Sequence, residues 1–316
     1  MENSYDARNK LGLGFYHLDP RWCSFEDFKY IASLGITNSY KLECGYGTTL
    51  DGVQIAKEHG AQVWLGMERF NNQGKSNETL SEYMARANRF IEKIKERELW
   101  DTVIGFHWDE PILGMTNEDF LNMSKAVSEE YGKRIFPVFS GYEAVGKKGN
   151  FNDPDGFTIL EGYATKYITD FGFDSYGYDF RKPYNEHTAK KLALLAEEHQ
   201  EITSVENYYR FYLNTLKERM ENKDARVWVF PTAYQVYTWG GYHSDEDYCI
   251  AHLENLKNIL LEFDNPGGIY NYTYKTWRLS EPAMDIHLAK NNPERWSKYE
   301  ETCRKVLNEI KDIEVQ

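Results

Sequence analysis

The run Gly105-Phe-His-Trp-Asp-Glu-Pro111 is the densest chemistry in the chain. Two adjacent acids, Asp109 and Glu110, follow Trp108 and are closed by a proline. Such a pair can divide labour, one carboxyl keeping a proton to donate while the other stays ionised. An indole beside Glu110 screens it from water and raises its pKa, the direction a general acid needs. The competing expectation is that both acids merely cap a helix or pair with Arg69. Two carboxylates beside a buried Trp are costly without a purpose, which favours the chemical reading.

These residues need a frame, and the short apolar runs supply one. Leu11–Leu18, Ile36–Leu42, Ala61–Met67, Thr102–Trp108, Arg134–Phe139, Thr169–Tyr176, Arg226–Thr232 and Gly268–Tyr274 read as strands. Amphipathic helices are expected between them, over residues 24–34, 49–59, 78–98, 117–131, 186–221 (one or two), 245–263 and 293–313. The strands begin about 37 residues apart on average, room for one strand, one crossover helix and two loops. Their nearly continuous apolar character fits parallel strands buried on both faces. Eight such units in 316 residues predict an α/β fold, a single (β/α)8 TIM barrel over residues 1–316. No Gly-x-Gly-x-x-Gly follows a strand, which argues against a dinucleotide fold. Ser24…Asp27, Thr116…Asp119 and Ser244…Asp247 mark helix starts, and Gly35, Gly60 and Gly132 sit where helices should stop.

In such barrels the C-terminal strand ends form the active face. The residues expected there include Tyr16, His17, Lys41, Glu43, Glu68, His107, Trp108, Asp109, Glu110, Asp174, Tyr176, Tyr234, Tyr272, Lys275 and Trp277. Acids and flat rings dominate. Sugar rings stack their apolar faces on aromatics, and acetal cleavage needs a proton donor plus a carboxylate, so carbohydrate chemistry is the expectation. Catalysis is assigned to Glu110, Asp109 and Asp174. Substrate binding is assigned to His17, Glu43, Glu68, His107, Trp108, Tyr176, Tyr234, Tyr272 and Trp277. Lys41 and Lys275 could instead form Schiff bases, given a depressed pKa. His59, His199, His252 and His287 fall in helices and are expected at the surface.

Composition narrows the partners. Fifty acids against 37 bases leave a formal charge of −13, which repels phosphate backbones and anionic membranes. A carbohydrate, carrying no such penalty, is the expected partner, with no nucleic acid and no membrane. The chain holds 24 Tyr, 17 Phe and 8 Trp, enough both to pack a core and to line a groove. Cys23, Cys44, Cys249 and Cys303 have no metal-ligand spacing, and neither His-x-His nor His-Glu-x-x-His occurs. Free thiols, no metal and no cofactor are therefore expected. The first residues carry no export signal, which suits a cytoplasmic protein or a trimmed exported one.

On these motifs the chain resembles the glycoside-hydrolase-like barrel superfamily over essentially its full length. Asp109-Glu110-Pro111 is similar to the Asn-Glu-Pro that ends strand four in the large clan of retaining glycosidases. That resemblance implies Glu110 as acid/base. The clan also carries a nucleophilic Glu at the end of strand seven, whereas Phe230–Gly241 contains no acid. Asp174, Glu68 or Glu43 could then act as second carboxylate, with retention implied by a separation of about 5–5.5 Å from Glu110 and inversion by about 6.5–9.5 Å. A second likeness is to hexosaminidase and chitinase-like barrels, where the substrate's acetamido group attacks. It implies that Asp109 orients that group, Glu110 protonates the leaving oxygen and Trp277 forms the floor. Two other functions fit the same frame, a sugar-binding barrel without hydrolysis and a barrel lyase or aldolase.

Overall fold

The computed structural model describes residues 6–18, 24–43, 47–67, 79–109, 111, 117–140, 165–174, 197, 200, 202, 204–233, 246–272 and 293–315. Eight strands run β1 Gly12–Leu18, β2 Ser39–Glu43, β3 Gln62–Gly66, β4 Val103–Asp109, β5 Arg134–Ser140, β6 Asp170–Asp174, β7 Arg226–Val229 and β8 Pro266–Asn271. All eight neighbouring pairs are parallel, and β8 pairs back to β1 to close the barrel. Seven α-helices lie among the described residues: α1 Phe25–Leu34, α2 Gly47–Glu58, α3 Leu80–Glu96, α4 Asn117–Glu129, α5 Val205–Arg219, α6 Glu246–Leu260 and α7 Pro293–Ile310. The α/β barrel expected from the sequence is the observed architecture.

Local chemistry explains the element edges. Ser24 and Asp27 form a reciprocal capping box at α1, and Gly35 ends that helix at a φ of 64°. Gly60 and Gly132 are likewise left-handed. Thr116 and Ser244 lie outside the described residues. A further box, Thr79 with Glu82, opens α3. The second strand starts at Ser39 rather than Ile36, and side chains add to the backbone bonds just before it: Thr37 Oγ1 donates to the Leu13 carbonyl, and Asn38 Oδ1 accepts from the Leu13 N–H. The seventh ends early because Pro231 has no N–H to donate, although Thr232 still bridges to Tyr272.

Period-two alternation sorts the strand side chains into two cores. Outward residues such as Phe15, Leu65, Phe106, Trp108, Phe173 and Ile269 pack under the helices. Inward residues Tyr16, Trp64, Phe136, Val138, Trp228, Phe230, Tyr270 and Tyr272 fill the lumen. The Trp228 ring stacks on Tyr270 at 5.0 Å and meets Trp64 edge-on at 5.9 Å. These rings fit because facing wall positions are bare. A Cβ on Gly105 would lie 2.6 Å from the Trp64 ring, and one on Gly172 would lie 2.4 Å from Phe230.

The N-terminal floor of the barrel is polar. Arg134, Asp170 and Arg226 are the first residues of three successive strands. Asp170 accepts from Arg134 Nε at 2.6 Å, Arg226 Nε at 2.8 Å and Trp228 Nε1 at 2.9 Å. Burial alone would raise the Asp170 carboxyl, but the two guanidinium groups overcome it and hold the pKa below its ordinary value. Arg226 also donates to the Ala7 carbonyl, and the Ala7 N–H donates to Gln62, so the segment before β1 lies across this floor.

His252, expected at the surface, is buried in α6 between the Tyr209 and Tyr248 rings. Its Nδ1 accepts the Thr232 N–H at 3.1 Å, pinning the bridge residue that follows β7. Helix position alone does not show which face of α6 meets the sheet, and the expectation is corrected on that ground. Burial lowers its pKa to about 4, against an ordinary 6.5. Folding thus excludes a proton that the unfolded chain binds below pH 6.5, so stability is complete above that pH and falls toward pH 4. The loss amounts to about 3 kcal/mol by linkage. Denaturant titrations at pH 7 and pH 4.5 check this, and an unchanged unfolding free energy would contradict it.

Candidate active site

The opposite, C-terminal end gathers the reactive groups. Glu43 and Asp109 are the last residues of β2 and β4. Lys41 and Glu43, two apart, share the inward face of β2, and His107 and Asp109 share that of β4. The Lys41 Nζ lies 2.6 Å from a Glu43 carboxylate oxygen, with the lysine side chain fully buried and the glutamate 6% exposed. The ammonium also sits 4.5 Å from the centre of the Tyr16 ring. Burial this deep makes the pair costly to split, on the order of 3–5 kcal/mol when one partner is removed.

Tyr16 links this pair to β4 and to Tyr272, the residue after β8. Its ring meets the His107 imidazole edge-on at 5.1 Å and tilts against Tyr272 at 5.8 Å. Register brings β2 and β4 together as well. Glu43 stands opposite Gly66 of β3, and Gly66 stands opposite His107. Glycine has no side chain, so none intervenes between Glu43 and His107 on the wall. Burial drives His107 well below its ordinary pKa and the Lys41 charge pushes the same way, while Asp109 and Glu43 pull it back up. The imidazole is therefore neutral near pH 7, able to donate from one nitrogen and accept at the other.

Of the residues expected at the site, the structure brings together Glu43, His107, Asp109 and Tyr272. Glu110, Glu68, Tyr176, Tyr234 and Trp277 lie outside the described residues, as do Arg69 and Lys275. His17 lies within β1 and Asp174 ends β6, and their backbones alone are described. Trp108 requires a correction. It is fully buried on the outer face of β4 and meets Phe120 of α4 edge-on at 6.0 Å, so it does not line the mouth. Alternation along the strand forces this, because the faces of His107 and Asp109 exclude the residue between them. The sequence places Tyr16 at a strand end without pointing to a role for it, and offers Lys41 only as a Schiff-base amine. The signal for Lys41 is its i, i+2 spacing from Glu43. Lys41 spends its ammonium on Glu43, which opposes the Schiff-base role. Among the described residues, no group of three or more His, Cys, Asp or Glu is placed to hold a metal ion.

No protein-family model matches the chain, and no curated protein matches it. Solved structures do. A candidate alpha-L-fucosidase from Bacteroides thetaiotaomicron VPI-5482 superposes with a TM-score of 0.57 at 10% identity, covering 96% of this chain and 95% of that one. The described barrel is shared with glycosidases. The Ruminococcus gnavus beta-glucuronidase gives a TM-score of 0.51 at 12% identity over 86% of this chain. Its complex with uronic deoxynojirimycin gives 0.54 at 12% identity. This chain spans 45% of the length of that glucuronidase. Likeness at such identities establishes the fold.

Proposed function

We propose that the chain is a glycoside hydrolase that cleaves an O-glycosidic bond of an oligo- or polysaccharide, with Glu110 as general acid/base. The observation that carries this reading is the convergence of Glu43, His107 and Asp109 beside Tyr16 and Tyr272 at the C-terminal end of a closed barrel. Asp109 ends β4 and immediately precedes Glu110 in sequence. The fold shared with a beta-glucuronidase and a candidate alpha-L-fucosidase supports the same reading.

In this reading Glu110 protonates the departing glycosidic oxygen, and positive charge developing at the anomeric carbon is met by a second carboxylate. Asp174 and Glu68 are the candidates for that carboxylate, since Glu43 is already committed to Lys41. Neutral His107 binds a sugar hydroxyl, and the Tyr272 ring supports a sugar face. One observation favours a second reading, a sugar-binding barrel without turnover: the sequence Phe230–Gly241, which follows β7, holds no acid. A panel of aryl glycosides with neutral, acidic and acetamido sugars, followed for aryl release and by calorimetry, separates the two. Aryl release supports hydrolysis, binding without release supports the second reading, and neither outcome would leave carbohydrate chemistry without support.

A further inference from the structure

We propose that Lys41 is a positioning residue of the mouth, clamped by Glu43 and the Tyr16 ring so that Glu43 and His107 present fixed hydrogen-bonding groups to the substrate. The inference rests on the glycosidase reading for the identity of that substrate and on the geometry alone for the clamp. A fully buried lysine needs a reason, because desolvating an ammonium costs several kcal/mol unless it is paired. A surface lysine at the same strand end would hydrate instead. Here the cation meets a carboxylate at 2.6 Å and the face of an aromatic ring at 4.5 Å, two contacts at once.

The clamp acts on three elements. On β2 it fixes the Glu43 carboxylate, opposite the bare Gly66. On β1 it holds the Tyr16 ring, whose edge-on contact orients the His107 imidazole. On β4 its charge opposes protonation of His107. The titratable groups bearing on His107 among the described residues are Lys41, Asp109, Glu43 and Tyr16. The Lys41 effect exceeds those of Asp109 and Glu43 taken singly. Removing the ammonium therefore shifts His107 upward whether Glu43 then stays ionised or takes up a proton. A mouth without Lys41 gains an imidazolium as the pH falls and loses the acceptor nitrogen that a sugar hydroxyl uses.

The test uses the full chain labelled at histidine and lysine. In the unmodified protein the His107 signal, assigned by its loss in His107→Gln, is expected to stay neutral as the pH falls through the ordinary 6.5. One lysine ammonium is expected to exchange slowly with water and to vanish in Lys41→Arg. In Lys41→Met the His107 midpoint is expected to rise. For a glycoside that the aryl panel shows to be cut, kcat/KM is expected to fall about 10²-fold, as misplaced groups do, with the acid limb of the pH profile moving with His107. Lys41→Arg is expected to restore the His107 midpoint and part of kcat/KM. A folded Lys41→Met protein with an unmoved His107 midpoint would overturn the proposal. Should that variant not fold, the absence of a slowly exchanging Lys41 ammonium in the unmodified protein overturns it equally. If no glycoside is cut, the His107 titration still decides the clamp, and the glycosidase reading fails separately.

Discussion

Glu110→Gln is expected to bind glycosides about as tightly as the unmodified chain and to turn them over roughly 10²–10⁴-fold more slowly. The amide keeps the size and hydrogen-bonding reach of the side chain while removing its transferable proton. The deficit depends on the leaving group. A dinitrophenolate departs without protonation, so its glycoside should lose little, whereas an alkyl glycoside needs the proton and should lose the full factor. Steady-state kinetics across such a leaving-group series check this. A uniform loss would indicate a Glu110 role in binding geometry instead, and an undiminished rate would remove it from the chemistry.

At the other end of the barrel, Asp170→Asn is expected to destabilise the fold by about 3–5 kcal/mol. The carboxylate stands between Arg134 and Arg226 and also accepts from Trp228. Without it two guanidinium groups at the floor face each other with one counter-charge removed. For a chain of this size the thermal midpoint should drop by roughly 6–20 °C, measurable by calorimetry. Because the Asp170 pKa is held below its ordinary 3.8, its contribution is complete above that pH and lost below it. Variant and unmodified protein should therefore converge in strong acid. Turnover per folded molecule should be unchanged, since the mouth lies at the opposite strand ends. A loss under 1 kcal/mol would mean that the floor network is not a stability element.

The barrel was legible because its signal is repeated. Eight apolar runs with helices between them leave few architectures, and Gly35, Gly60 and Gly132 stop helices where a left-handed residue is needed. Strand ends could be read off as single residues for a related reason, and Glu43 and Asp109 do end β2 and β4. What could not be read was which face each residue takes. Trp108 and Asp109 are neighbours, yet one packs on Phe120 and the other turns inward, and a one-residue uncertainty in strand phase exchanges them. The Lys41–Glu43 pair is hidden likewise: both residues stand at a strand end in the sequence, but their contact depends on a shared face and on Tyr16 arriving from another strand. His252 was misplaced because a helical histidine reveals nothing of the strand end it serves.

Crystallography of Glu110→Gln with an uncut glycoside is the most direct check on the mouth as the reaction site. The account predicts the scissile oxygen at the C-terminal strand ends, within hydrogen-bond distance of the residue 110 carboxamide, and a sugar hydroxyl on His107. A glycoside seated elsewhere on the barrel, with that carboxamide out of reach of the glycosidic oxygen, would contradict it.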